Sequence, residues 1–160
     1  MELVILVTGH PVAKGRGRVV VLPNGRPSVV TPKKTRRWEQ DARDQARLRM
    51  LELKLEPLTG PLVMTLWAMF DVSKSWPAWK QEAALAHRVR HTSPPDLDNL
   101  VKAAKDAMNG VVWMDDRQVV ALHAQKFYSR TPGVKIVVNT AEGFSGKISR
   151  KSELEAHATP

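Results

Sequence analysis

The sequence predicts an α/β (α+β) domain in which a small mixed sheet packs against helices. Three observations carry this expectation. Runs rich in β-branched and aliphatic residues stand at both ends of the chain and once in its middle, over Glu2–Thr8, Leu62–Val72, Val119–Tyr128 and Val134–Thr140. Two segments between them, Lys33–Leu53 and Leu97–Asn109, repeat their apolar residues at helical spacing instead. The length, 160 residues with 42% apolar content, suits one domain with a real core and excludes a disordered chain.

Each element follows from its residues. Glu2–Thr8 alternates loosely and reads as a strand. "GHPVAKGRGR" is a Gly-rich loop carrying Lys14, Arg16 and Arg18; its glycines would let backbone N–H groups approach phosphates, although it has no P-loop pattern. "VVVLPNGRPSVV" sets β-branched runs on either side of Pro23-Asn24-Gly25, a hairpin signal. Thr31-Pro32 starts a basic helix in which Trp38, Ala42, Ala46 and Met50 form a narrow apolar stripe. Pro57–Gly60 is a turn, and Leu62–Val72 reads as a long, well-buried strand. Ser73–Pro95 is a loop region with a short helix near Trp79–His87.

The clearest helix is Leu97–Asn109. Leu97, Leu100, Val101, Ala104, Ala107 and Met108 face a core, and Asn109-Gly110 ends it. Val111–Met114 is short and apolar, Asp115–Gln118 opens a turn or short helix, and two strands follow, joined around Thr131-Pro132-Gly133. Residues 1–141 are thus expected to form a single domain, and 142–160 a polar, poorly ordered tail.

Charge and composition narrow the function. From His10 to Met50, eleven Lys and Arg face only Glu39, Asp41 and Asp44, a local net of +8 within a chain of +9. Such a patch suits a polyphosphate partner. The absence of cysteine excludes disulfide scaffolds and thiolate metal sites. The first apolar run, Leu3–Val7, is too short for a membrane span and lacks the charged flank of a signal peptide, so a cytoplasmic protein is expected.

Against this basic background the segment "SPPDLDNLVKAAKDAMNGVVWMDD" gathers carboxylates at both ends of one helix. One Asp at a helix N-terminus is ordinary capping. Asp96 and Asp98, flanking the core residue Leu97, are more than capping needs. The helix is about 18 Å long, and the seven residues from Gly110 to Asp116 can span about 23 Å, so the chain can turn and bring Asp115 and Asp116 back toward Asp96 and Asp98. Clustered carboxylates need a cation, and an all-oxygen ligand set favours Mg²⁺, with Mn²⁺ as substitute. An EF-hand is excluded, because its sixth and twelfth positions would be Val101 and Ala107. A zinc site on His87 and His91 is disfavoured by the Arg-rich surroundings. Lys102, one turn beyond Asp98, either braces that carboxylate or faces a scissile phosphate. Asp106, a turn further, is expected to pair with Lys102.

"DLDNLVKAAKDAMNGVVWMDDRQVV" resembles the signature of RusA-type Holliday junction resolvases of bacteria and prophages. The D-x-D-N-x-x-K run and the later D-D stand at family spacing, and the match is most specific over Pro95–Lys126. "HPVAKGRGR" and "RPSVVTPKKTRRWE" extend the resemblance toward phage-type members. It implies a RusA-like α/β homodimer that binds four-way DNA junctions and nicks two opposing strands. It places the three Mg²⁺-binding aspartates on Asp96, Asp98 and Asp116, the essential lysine on Lys102, and a DNA contact on Asn99. Lys14 and Arg16 fall in the N-terminal DNA-contact segment, with Arg18, Lys33 and Lys34 completing the basic surface. The alternatives are a Mg²⁺-dependent nuclease for other branched DNA or RNA, and a non-catalytic DNA-binding protein on the same fold.

Overall fold

A computed structural model describes residues 2–141; the polar tail expected from 142 lies outside the described residues. The elements, in chain order, are β1 (Glu2–Thr8), β2 (Arg18–Val21), β3 (Pro27–Val30), α1 (Lys33–Glu52), β4 (Leu62–Asp71), α2 (Ala78–Leu85), α3 (Leu97–Met108), a 3₁₀ turn (Asp116–Gln118), β5 (Val119–Ser129) and β6 (Gly133–Thr140). The expected elements all form, within a residue or two at most boundaries. The fold is the mixed α+β arrangement that the sequence predicts.

The main sheet has the order β1-β6-β4-β5. β6 runs antiparallel to both β1 and β4, whereas β4 and β5 are parallel. β5 and β6 are joined by a short loop yet do not pair, because β4 lies between them. β2 and β3 form a separate two-stranded ribbon.

The register builds the core in rows. Leu3, Val138 and Met64 align across three strands, as do Ile5, Ile136 and Leu66, and all six are buried. α1 packs on β1 and α3, and α2 and α3 lie against β5, so the helices supply the second layer. The stripe Trp38, Ala42, Ala46 and Met50 is buried as its spacing requires. β4 departs from expectation: only Leu62, Met64, Leu66, Ala68 and Phe70 are buried, and the alternate positions are half-covered. The reason is that the helices cover one face of the sheet. On the other, the Lys135 ammonium lies over the Trp67 ring, 4.8 Å from its centroid.

α3 is the best-buried helix, with Leu100, Val101, Ala103, Ala104, Ala107 and Met108 all in the core. Arg43 of α1 ties down its far end by donating to the carbonyls of Asp106 (2.8 Å) and Ala107 (3.2 Å), acceptors left open at a helix C-terminus. The segment leaving α3 does not return as an extended chain. Gly110, at φ +74°, donates its N–H to Trp113 O at 2.7 Å, closing a tight turn that sinks Val112 and Trp113 into the core. A fully buried Trp anchors the segment before it reaches the aspartate pair.

Candidate active site

The N-terminus of α3 presents two carboxylates on a rigid base. Asp96 occupies the N-cap position with φ −68° and ψ 144°, but its side chain makes no capping hydrogen bond. Asp98 lies in the first turn. Both are exposed, and among the described residues neither takes part in an ion pair. The capping role that would account for Asp96 structurally is therefore not exercised.

Lys126 holds the loop that delivers Asp96. Its ammonium donates to Ser93 O and Pro95 O, at 2.8 Å each. In the β4–β5 register Lys126 aligns with buried Ala68, in the same row as Val7 and Val134. A lysine thus stands where sheet alternation asks for an apolar residue, and the two carbonyls satisfy its charge. Sequence reasoning missed this residue; the only signal was its break in the inward apolar set Ala124, Lys126, Tyr128.

The Asp115-Asp116 pair divides its work. Asp115 caps the 3₁₀ turn, accepting from the Arg117 backbone N–H at 2.9 Å and from its guanidinium at 2.8 Å. These hydrogen bonds from Arg117 hold the Asp115 carboxyl below the usual carboxylate range. Gln118 pins the same turn, donating to Leu58 O and Gly60 O and accepting from the backbone of Met114 and Asp115. Asp116 is left to face α3, where it meets the Lys105 ammonium at 3.3 Å. The Cα of Lys105 lies about 10.5 Å along the helix from that of Asp98, and its side chain leans back toward the N-terminus.

Asp96 and Asp98 thus stand at the N-terminal end of α3, and Asp116 reaches the same helix through Lys105. Among the described residues, however, no three His, Asp or Glu side chains are arranged as a metal-ligand group. In donor chemistry the three aspartates fit a hard cation: all are carboxylates, and two are uncommitted within the protein. His87 and His91 do not form a ligand pair. His91 stacks on Phe70 with ring centroids 3.9 Å apart, and His87 meets Phe127 edge-on. Burial, with the nearby Lys126 charge, lowers the His91 pKa.

Lys102 is exposed on the same helix and makes no ion pair with Asp98, so the bracing role is not realised. Asp106 pairs with Lys14 at 2.7 Å and not, as expected, with Lys102. Lys14 is correspondingly turned inward, bridging Asp106 and Glu39, also at 2.7 Å. Burial opposes its charge, but the hydrogen bonds to Asp106 and Glu39 prevail and raise its pKa. Its backbone N–H donates to Asn99 O at 2.8 Å, which seats the basic loop against the first turns of α3. The glycines of that loop have a packing reason. A Cβ on Gly15 would come within 2.8 Å of Pro32, and one on Gly17 within 2.3 Å of Val29. Arg16, Arg18, Lys33 and Lys34 are exposed and, among the described residues, unpaired.

A model of the family described as endodeoxyribonuclease RusA matches residues 8–139. The chain belongs to the RusA family. It is also similar to the uncharacterized protein YqaN of Bacillus subtilis (strain 168), with 35% identity over 134 residues covering 82% of this chain and 92% of that protein. The RusA match takes in the basic loop, the ribbon, α3 and the Asp115-Asp116 turn. RusA proteins are endodeoxyribonucleases, and both the acidic face of α3 and the basic loop seated on it lie inside the family's boundaries. No helix among the described residues is long and apolar enough to cross a membrane.

Proposed function

We propose that this chain is a Mg²⁺-dependent endonuclease that resolves four-way DNA junctions as a homodimer, by paired hydrolysis of phosphodiesters on opposing strands. The observation that carries the reading is the state of Asp96 and Asp98: two exposed carboxylates at the N-cap and first turn of the well-buried α3, spent neither on capping nor on a cation. Asp116, now paired with Lys105, would join them from the turn after α3, and the three would hold Mg²⁺, or Mn²⁺ in its place. The bound ion would supply Lewis acidity at the phosphate oxygens.

The protein's own residues do the rest. Lys126 fixes the Ser93–Pro95 loop and so the position of Asp96. Lys102 offers an unpaired ammonium one turn from Asp98, suited to the charge that gathers on the phosphorane-like transition state or to protonating the leaving oxygen. Asn99 lies beside it for a backbone contact. Arg16, Arg18, Lys33 and Lys34 hold flanking phosphates. A two-fold dimer would present two such sites to a substrate that must be cut twice.

The test is a synthetic four-way junction incubated with and without Mg²⁺, alongside a linear duplex and an RNA hairpin. Wild-type protein should cut the junction only with Mg²⁺ or Mn²⁺. Asp98→Asn should bind it as wild type does and fail to cut. Cutting by Asp98→Asn at near wild-type rate would remove the aspartate from the site. Equal cutting of the linear duplex or the RNA would replace the junction with a broader substrate.

A further inference from the structure

The β2–β3 ribbon carries a bare apolar face. Val19 stands opposite Val29, and Val21 opposite Pro27, so these four residues share one side. Val19, Val21 and Val29 are 70%, 73% and 70% exposed. The other side is less exposed: Val20 and Val30, at 37% and 38%, border a shallow hollow with Thr31, Pro32 and Lys33. A strand with one face in water normally alternates apolar-in and polar-out. Here the outward positions are valines, and among the described residues only Gly17 is shown to abut them, against Val29, which stays largely bare.

The surroundings say what does. Arg16 and Arg18 lead into the ribbon, Arg26 sits at its turn, Lys33 and Lys34 follow it, and no acidic residue occurs from His10 to Trp38. The ring of cations calls for a polyanion, and the valines require that polyanion to offer apolar surface as well. Valine has no donor or acceptor with which to read base edges in a groove. Beyond the isolated thymine methyls of the major groove, the extended apolar surface of DNA is the faces of its bases, which are covered in a stacked duplex and exposed where stacking is interrupted. We infer that the Val19-Val21-Val29 face is a wedge that packs against unstacked bases at the branch point of the DNA substrate, with the flanking Arg and Lys on the adjacent phosphates. This rests on the junction reading above and deepens it by naming the structure-selective element.

The test measures binding in EDTA, so cleavage plays no part. The probe is a four-way junction with 2-aminopurine beside the branch, compared with a linear duplex carrying the same base. Wild-type protein should raise the fluorescence of the junction and leave that of the duplex unchanged. The Val19→Ser/Val29→Ser double variant should lose about tenfold or more in junction affinity, with duplex affinity and the salt slope unchanged, because no cation is removed. Val19→Thr/Val29→Thr keeps β-branched shape and strand propensity, so a melted ribbon cannot account for its loss, which should run in the same direction. Unchanged junction affinity and fluorescence in both variants would overturn the wedge while leaving the junction reading intact. Conversion of a DNA-free dimer to monomer by the Ser variant would overturn it in favour of a second copy on this face. Loss of binding to phosphatidylserine vesicles would overturn it in favour of a lipid surface. A wild-type protein that prefers duplex to junction would overturn both readings.

Discussion

Replacing Lys14 with Met separates two roles that a basic loop can play. Its ammonium bridges Glu39 and Asp106 at 2.7 Å each, with the Lys14 and Glu39 side chains 22% and 17% exposed and Asp106 39% exposed. The Glu39 bond is shielded and charge-assisted, contributing about 1.5–2 kcal/mol. The Asp106 bond is more open to solvent and screened, contributing about 0.5–1 kcal/mol. Lys14→Met should therefore destabilise the protein by about 2–3 kcal/mol, lowering the urea midpoint by about 1–2 M. Its raised pKa fixes the pH window: the contribution is fully present below the ordinary lysine value and is lost only as pH rises through the raised one. Because the charge is already compensated inside the protein, the salt dependence of DNA binding should hardly change. Arg16→Met, removing an unpaired cation, should flatten the log–log slope by about 0.9. A Lys14→Met protein with an unchanged urea midpoint and a slope reduced by about 0.9 would refute this reasoning and make Lys14 a phosphate contact.

Three further outcomes are expected at the site. Lys102→Ala should change stability by less than about 0.5 kcal/mol, as expected of an exposed and unpaired residue, yet slow single-turnover junction cleavage by roughly 10²-fold; cutting within a few-fold of wild type would remove Lys102 from the mechanism. Lys126→Met should lower kcat by about 10- to 100-fold with little change in junction affinity, since it loosens the loop that positions Asp96. Lys126→Arg should restore part of the loss, and an unchanged kcat in Lys126→Met would show that the loop needs no clamp. His91, neutral in its aromatic stack with a lowered pKa, favours the folded state above the ordinary histidine value, and that advantage is lost as pH falls through its own. His91→Phe should thus weaken the fall in urea midpoint between about pH 7 and pH 4.5, and an identical fall would place the acid sensitivity elsewhere.

The secondary structure was legible because its signals are local. α3 reads from the spacing of Leu100, Val101, Ala104 and Met108, and the ribbon from Pro23-Asn24-Gly25 between valine runs. The aspartates of α3 also stood out, since acid in a basic chain is a contrast visible without coordinates. What stayed hidden depends on partners far apart in sequence. Lys14 finds Glu39 and Asp106 only because the loop docks between α1 and α3. Lys126 finds its carbonyls 31 and 33 residues away, across the sheet edge. Gly15 and Gly17 looked suited to phosphate approach, yet what surrounds them is Pro32 and Val29. The division between Asp115 and Asp116 turns on which one Arg117 reaches, a matter of one backbone turn.

The place of β6 has a bearing on how the protein is made. The last strand of the described chain is an inner strand, paired with β1 on one side and β4 on the other. During synthesis, β1 emerges before the other strands of its sheet and waits for a partner more than a hundred residues later. Until residue 140 has left the ribosome, β1 has no neighbour, β4 has an open edge, and the layer that supports the aspartate helix is split. Such long-range closure is slow and leaves unpaired edges exposed meanwhile. A chain released before β6 is complete would keep β1 unpaired and one edge of β4 open, the features on which proteases and aggregation act.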